Sequence, residues 1–178
     1  FVEQKIDVFI SQSALLGCKL LVFPFLEKSS IDESNFSATV ELLRYVAERS
    51  AALGMEVAIE SMLDSRFLLQ LVAETDRQNL GVVFDTGNRV GLSEDLGEEL
   101  ADLMPWVKHV HIKDKDADGN NVRLGLGLVN FLDVFLILRK SGYSGALVFE
   151  TTRGNSPIRT MRHNIAFCEY FWEESDGV

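Results

Sequence analysis

The sequence predicts a parallel α/β fold, and three observations predict it. Short apolar runs alternate with longer amphipathic stretches along the whole chain. The runs carry apolar residues at consecutive positions, as strands buried on both faces do, and helix-like sequence separates each run from the next. Three of the five runs carry a carboxylate, Glu60, Asp85 or Glu150, at or next to their last residue, and a fourth carries His111 and Asp114 at its end, which is unusual for a buried strand.

Taken in order, residues 3–16 are amphipathic, with Ile6, Phe9, Ile10, Ala14, Leu15 and Leu16 at helical spacing and Gly17 as a stop. "CKLLVFPF" (18–25) reads as a short strand closed by proline. "NFSATVELLRYVAERSAALG" (35–54) is a second helix, with Leu42, Leu43, Val46 and Ala47 on one face and Gly54 as its stop. "MEVAIES" (55–61) is the next strand. A helix over 65–76, the strand "NLGVVFD" (79–85), a helix over 94–104 and the strand "VKHVHIKD" (107–114) follow. A loop to about 127, a helix over 130–141, the strand "GALVFET" (145–151) and a helix over 157–173 close the pattern. This makes five strands in a single domain over 1–178, without linker or low-complexity segment. Met55, Met62 and most of the phenylalanines read as core.

Composition narrows the function classes. With 178 residues, 47% of them hydrophobic, the chain has enough apolar surface for a sizeable core. Seventeen Lys and Arg against 27 Asp and Glu give a net charge of −10, with no basic cluster, which argues against a nucleic-acid or anionic-membrane partner. No apolar run approaches the roughly 18 residues of a membrane span, so the expected compartment is the cytoplasm. Cys18 and Cys168 suit reduced buried thiols there. The chain opens on Phe1 directly in helix-like sequence, as a piece of a longer polypeptide would.

In parallel α/β sheets, ligands bind beyond the carboxyl ends of the strands. Glu60, Asp85, His111 and Glu150 all stand at such ends. Singly, each has a plain structural reading: Asp85 before Thr-Gly as a turn or helix cap, the glutamates as surface ion-pair partners, His111 as a hydrogen-bonded core histidine. Together, three carboxylates and an imidazole form a donor set for one hard or borderline divalent cation, whose charge offsets their mutual repulsion. His109 shares the face of His111 by strand alternation, deeper in, and reads as a core residue or one that supports a ligand. Lys113 is on that face near the rim, placed to meet an anionic substrate or to neutralise a carboxylate. "LGLGLVNF" (124–131) is not a dinucleotide fingerprint, because no strand-turn-helix unit with a following acidic partner surrounds it. Arg153, Lys113, Lys115 and Arg123 are the cationic donors a substrate phosphate would need.

The ordered series "VAIES", "VVFDTGN", "VKHVHIKD", "LGLGLVNF" and "SGYSGALVFET" resembles the sugar isomerase and epimerase superfamily of xylose-isomerase-like TIM barrels, and within it the L-ribulose-5-phosphate 3-epimerase and hexulose-phosphate isomerase group. The likeness runs from about residue 36 to 152. It implies a (β/α)8 barrel and one divalent metal ion, Mn, Mg, Co or Zn, held by Glu60, Asp85, His111 and Glu150. It also implies a small sugar or sugar-phosphate substrate that Asn88 faces; Lys113 and Arg153, by their positions near the carboxyl edge, are the further candidates for contact with it. Many relatives carry histidine at the position of Asn88, and some carry His-Pro-Gly where this chain has "FPF". The chemistry implied is proton transfer next to a ketose carbonyl through a cis-enediolate, with Glu60 and Glu150 as the acid-base pair.

Five strands match the last five of the eight, so a partial barrel with five C-terminal βα units is expected, eight such units needing roughly 280 residues against a usual barrel of about 250. Five strands alone leave two open sheet edges. Two other readings remain: a zinc endonuclease of the same barrel superfamily, disfavoured by three histidines and the charge of −10, and an inactive truncated chain. A homo-oligomer fits either of the enzymatic readings.

Overall fold

The chain, as a computed structural model, is described over residues 2–176. Seven helices and seven strands are defined among those residues: α1 (Val2–Leu15), β1 (Leu20–Phe25), α2 (Phe36–Ala51), β2 (Glu56–Ser61), α3 (Ser65–Thr75), β3 (Leu80–Asp85), α4 (Thr86–Arg89), α5 (Leu96–Leu103), β4 (Val107–Ile112), β5 (Asp114–Lys115), β6 (Asn121–Val122), α6 (Phe131–Lys140), β7 (Leu147–Phe149) and α7 (Pro157–Glu174). The main sheet has five strands in the order β1-β2-β3-β4-β7. β1 pairs with β2, β2 with β3 and β4 with β7, all in parallel. This is the predicted run of five strand-helix units.

The chain divides into two compact units, residues 1–83 with 106–108, and residues 84–105 with 109–178. In the first, Leu43, Val46 and Ala47 of α2 are buried, as are Val57, Ala58 and Ile59 of β2. Consecutive buried residues on β2 explain why the sequence shows no alternation: both faces are covered. Gly54 follows α2 with φ +68°, the left-handed conformation that stops a helix. Arg44 ties α2 to the end of α3 by donating to the carbonyls of Glu74 and Thr75. Asn79 donates to the carbonyls of Ala47 and Met55, fixing the entry to β3. Gly81 permits close packing, since a Cβ there would lie 2.2 Å from the Trp106 carbonyl oxygen.

In the second unit, Phe131 and Phe135 of α6 pack with Phe167, Phe171 and Trp172 of α7. Arg139 closes that contact: its guanidinium lies 4.7 Å from the Trp172 ring and donates to the Trp172 carbonyl and the Ser175 hydroxyl. Arg89 and Glu99 form an ion pair buried between α4 and α5, the two side chains 2% and 6% exposed.

Three local readings differ from the structure. Met62 is exposed, because it follows β2 at the rim, whereas Met55 is buried as expected. Cys18 is exposed in the turn after α1, and only Cys168 is buried. Asp85 is the helix cap that its place before Thr-Gly offered, and the segment it caps is one turn of helix, α4. The loop to 127 contains a short antiparallel hairpin, β5 with β6, whose turn is tied by Asp116 accepting from the backbone N–H groups of Asp118 and Asn120. No helix among the described residues is long and apolar enough to cross a membrane.

Burial pushes the Cys168 thiol up to about 12, with the Glu169 charge adding to it. Since the thiolate is the reactive form, an alkylating reagent at pH 8 should label Cys18 alone in the native protein and both thiols after unfolding. Mass spectrometry of the labelled protein checks this; equal native labelling of both would contradict the packing of α7.

Candidate metal centre

The ends of β3, β4 and β7 bring the candidate ligands of the second unit together. Asp85 ends β3 and is 2% exposed; its Oδ1 accepts from the Asn88 N–H at 2.8 Å, which caps α4. His111 is the fifth residue of β4 and is buried. Glu150 follows β7 directly, and its N–H donates to the Ile112 carbonyl at 3.1 Å, extending the parallel ladder by one residue. Asp85, His111 and Glu150 each offer a ligand atom, and these lie within 4.8 Å of one another. His111 Nδ1 stands 3.7 Å from Asp85 Oδ2 and 3.7 Å from Glu150 Oε1. Two donor atoms on one ion with bonds of about 2.1 Å are at most about 4.2 Å apart, so the two 3.7 Å spacings suit a shared cation.

Glu60, the fourth predicted ligand, lies in the first unit. It is the fifth residue of β2, in register with Pro24 of β1, and is buried. The "FPF" strand end fits the place of β1 in the sheet: a proline is tolerated there because β1 is an edge strand among the described residues.

Lys113 enters the group as well. Its Nζ lies 2.8 Å from Asp85 Oδ2 and 2.6 Å from Glu150 Oε2, with Asn88 Oδ1 at 3.5 Å. Burial alone would raise the Asp85 carboxyl, but the His111 imidazole, the Lys113 ammonium and the Asn88 N–H outweigh it and hold the group below the usual carboxylate range. Burial likewise works to lower Lys113, yet its bonds to Asp85 and Glu150 win and raise it. Asp85 is therefore held as the carboxylate and Lys113 as the ammonium at neutral pH. Asn88 is half-buried at the end of α4, while Arg153 is exposed in the loop between β7 and α7. Lys115 is half-buried on β5 and Arg123 exposed beyond β6. His109 stacks edge-on against His111, ring centres 5.1 Å apart, as alternation along β4 required.

Three supporting residues had no role in the sequence reading. Thr86 clamps the end of β4: its hydroxyl donates to the Lys113 carbonyl at 2.5 Å and accepts from the Lys113 N–H at 3.0 Å. Gly87 leaves room for the Lys113 stem, since a Cβ there would meet Lys113 Cγ at 2.6 Å. Asp114 is fully buried and accepts the backbone N–H groups of Gly125, Gly127 and Val129 at 2.9, 2.9 and 3.2 Å. It thus orders the "LGLGLV" loop, and Gly127 has no side chain because a Cβ would lie 2.2 Å from Asp114 Oδ1. The signal was present in the sequence: a carboxylate at a strand end, followed by a glycine-rich loop with N–H groups to satisfy.

Parallel strand-helix units with a carboxylate and imidazole cluster at the strand carboxyl ends are the arrangement in which a TIM barrel places its ligand site. The chain matches the model of the xylose isomerase-like TIM barrel family over residues 6–171 and belongs to that family. It is 32% identical to a 2-epi-5-epi-valiolone 7-phosphate 2-epimerase of Actinoplanes sp. over 115 residues, 63% of this chain and 43% of that protein. It is 26% identical to a ketose 3-epimerase of Arthrobacter globiformis over 141 residues, 75% of this chain and 47% of that one. The chain thus spans about half the length of these curated relatives. Among solved structures, an L-ribulose 3-epimerase superposes with a TM-score of 0.84 at 18% identity, over 98% of this chain and 68% of that one, a likeness of fold.

The Asp114 network yields a stability prediction. Asp114→Ala leaves three N–H groups without their acceptor, and with each worth on the order of 1 kcal/mol the variant should lose about 2–4 kcal/mol. Urea unfolding measures it; a loss under about 1 kcal/mol would mean that the loop is not held by Asp114.

Proposed function

We propose that the protein is a divalent-metal-dependent epimerase of a small ketose or ketose phosphate, most specifically a 3-epimerase. The observation that carries this reading is the donor set: Asp85, His111 and Glu150 within reach of one cation at the strand ends. Oxygen donors with a single imidazole fit Mn²⁺, Mg²⁺, Co²⁺ or Zn²⁺. By the family pattern, Glu60 is the fourth ligand. The epimerase names of the curated relatives support the reaction class.

Asp85, His111 and Glu150 would hold the cation, which would supply Lewis acidity at the ketose carbonyl. One of the two glutamates, Glu60 or Glu150, takes the proton from the carbon beside the carbonyl, and the C–H electron pair moves into the enediolate. The other returns a proton to that carbon from the opposite face, which inverts the centre. Asp85 and His111 take no part in proton transfer; Asp85 is held charged by its neighbours and by its cap bond to Asn88. Asn88, Lys113 and Arg153 contact the substrate, Arg153 being the donor suited to a phosphate.

Two measurements test this. Asp85→Ala should lower Mn²⁺ affinity by about 100-fold or more with the fold retained by circular dichroism; unchanged metal content would refute the ligand assignment. With a panel of ketoses and ketose phosphates in deuterated water, the epimerised carbon should acquire solvent deuterium. Glu60→Gln and Glu150→Gln should each lower kcat by about 10²–10⁴-fold with a smaller effect on KM. Inversion without exchange that survives both substitutions rules the mechanism out.

A further inference from the structure

Lys113 is a buried ammonium aimed at two of the proposed metal ligands. Its main chain is fixed on both sides of the peptide by Thr86, and its stem runs over Gly87, where a Cβ would collide with it. The side chain reaches inward for this reason, and Nζ bonds Asp85 Oδ2 and Glu150 Oε2. A divalent cation is drawn to the same carboxylates. Two cations at one pair of carboxylates repel each other; Lys113 and Asp85 are buried while the Glu150 side chain is 43% exposed, so that repulsion is only partly screened by water.

We propose that Lys113 is a built-in competitor for the metal. Its ammonium keeps Asp85 and Glu150 drawn together until a divalent cation takes those oxygens, and the competition weakens metal affinity and speeds exchange. Metal loading then releases the ammonium from the carboxylates and frees it to meet the substrate. This inference rests on the metal-site reading above. A side chain that merely braced the two carboxylates would act in the opposite sense, because removing it would disorder the ligands and weaken metal binding.

The sign of the effect decides between the two. Mn²⁺ affinity of the full chain is measured by competition with a fluorescent chelator, at fixed pH and ionic strength, for the wild type, Lys113→Met and Lys113→Arg. Lys113→Met should bind Mn²⁺ about 10-fold or more tightly than the wild type, since the competing charge is gone. In excess chelator the same variant should melt below the wild type, two neighbouring carboxylates having lost their counter-charge, and Mn²⁺ should raise its Tm by more. Lys113→Arg, which keeps the charge, should stay within about 3-fold of the wild type. If Lys113→Met fails to fold, Lys113→Gln carries the same comparison. Equal or weaker Mn²⁺ binding on removal of the charge overturns the proposal while leaving the metal site standing. Failure of the wild type and every variant to bind Mn²⁺ overturns both.

Discussion

Asp85 is where the structural and chemical demands on this chain meet. One carboxylate oxygen caps α4 through the Asn88 N–H and the other bonds the Lys113 ammonium. A buried carboxylate without such partners would lose its charge; with them it stays ionised at the end of β3. The orientation of α4, and with it Asn88, follows from the cap. So does the path of the Lys113 stem, which passes over Gly87 in the same turn.

The neighbouring residues serve to keep that arrangement in place. Thr86 holds the end of β4 through both polar groups of Lys113. One residue further on, Asp114 turns away from the ligand group and orders the glycine-rich loop. Alternation along the chain end therefore assigns His111 and Lys113 to the ligand group and Asp114 to the scaffold. Arg89 and Glu99, a buried pair, join α4 to α5. Breaking such a pair by removing one partner is costly because it leaves a buried charge alone, which makes the end of α4 a rigid mount for Asn88.

The parallel architecture was legible because strands buried on both faces have to read as continuous apolar runs, and "VAIES" and "LGVVFD" do so. The ligand candidates were legible for the converse reason: charged residues closing such runs violate the pattern, and strand ends are where a parallel fold tolerates them. Helical cap chemistry was only half legible. Asp85 before Thr-Gly suggested a turn or a cap, and the structure makes it both a cap and a member of the ligand group. The hairpin β5-β6 escaped because two-residue strands carry no period. Met62 and Cys18 were misplaced since hydrophobicity says nothing of whether a residue sits at the rim or in the centre of its element. Alternation placed Lys113 on the ligand face with a carboxylate to neutralise, but that it reaches two of them, Asp85 and Glu150, depends on side-chain reach across two strands, which no local pattern encodes.

The central claim is a single divalent cation at the strand ends, and a crystal of the protein soaked in Mn²⁺, with diffraction collected at a wavelength giving manganese anomalous signal, tests it most directly. The account predicts one strong anomalous peak within about 2.0–2.4 Å of an oxygen of Asp85, an oxygen of Glu150 and a nitrogen of His111. An anomalous map with no peak there at saturating Mn²⁺, or with manganese bound elsewhere on the chain, would contradict it.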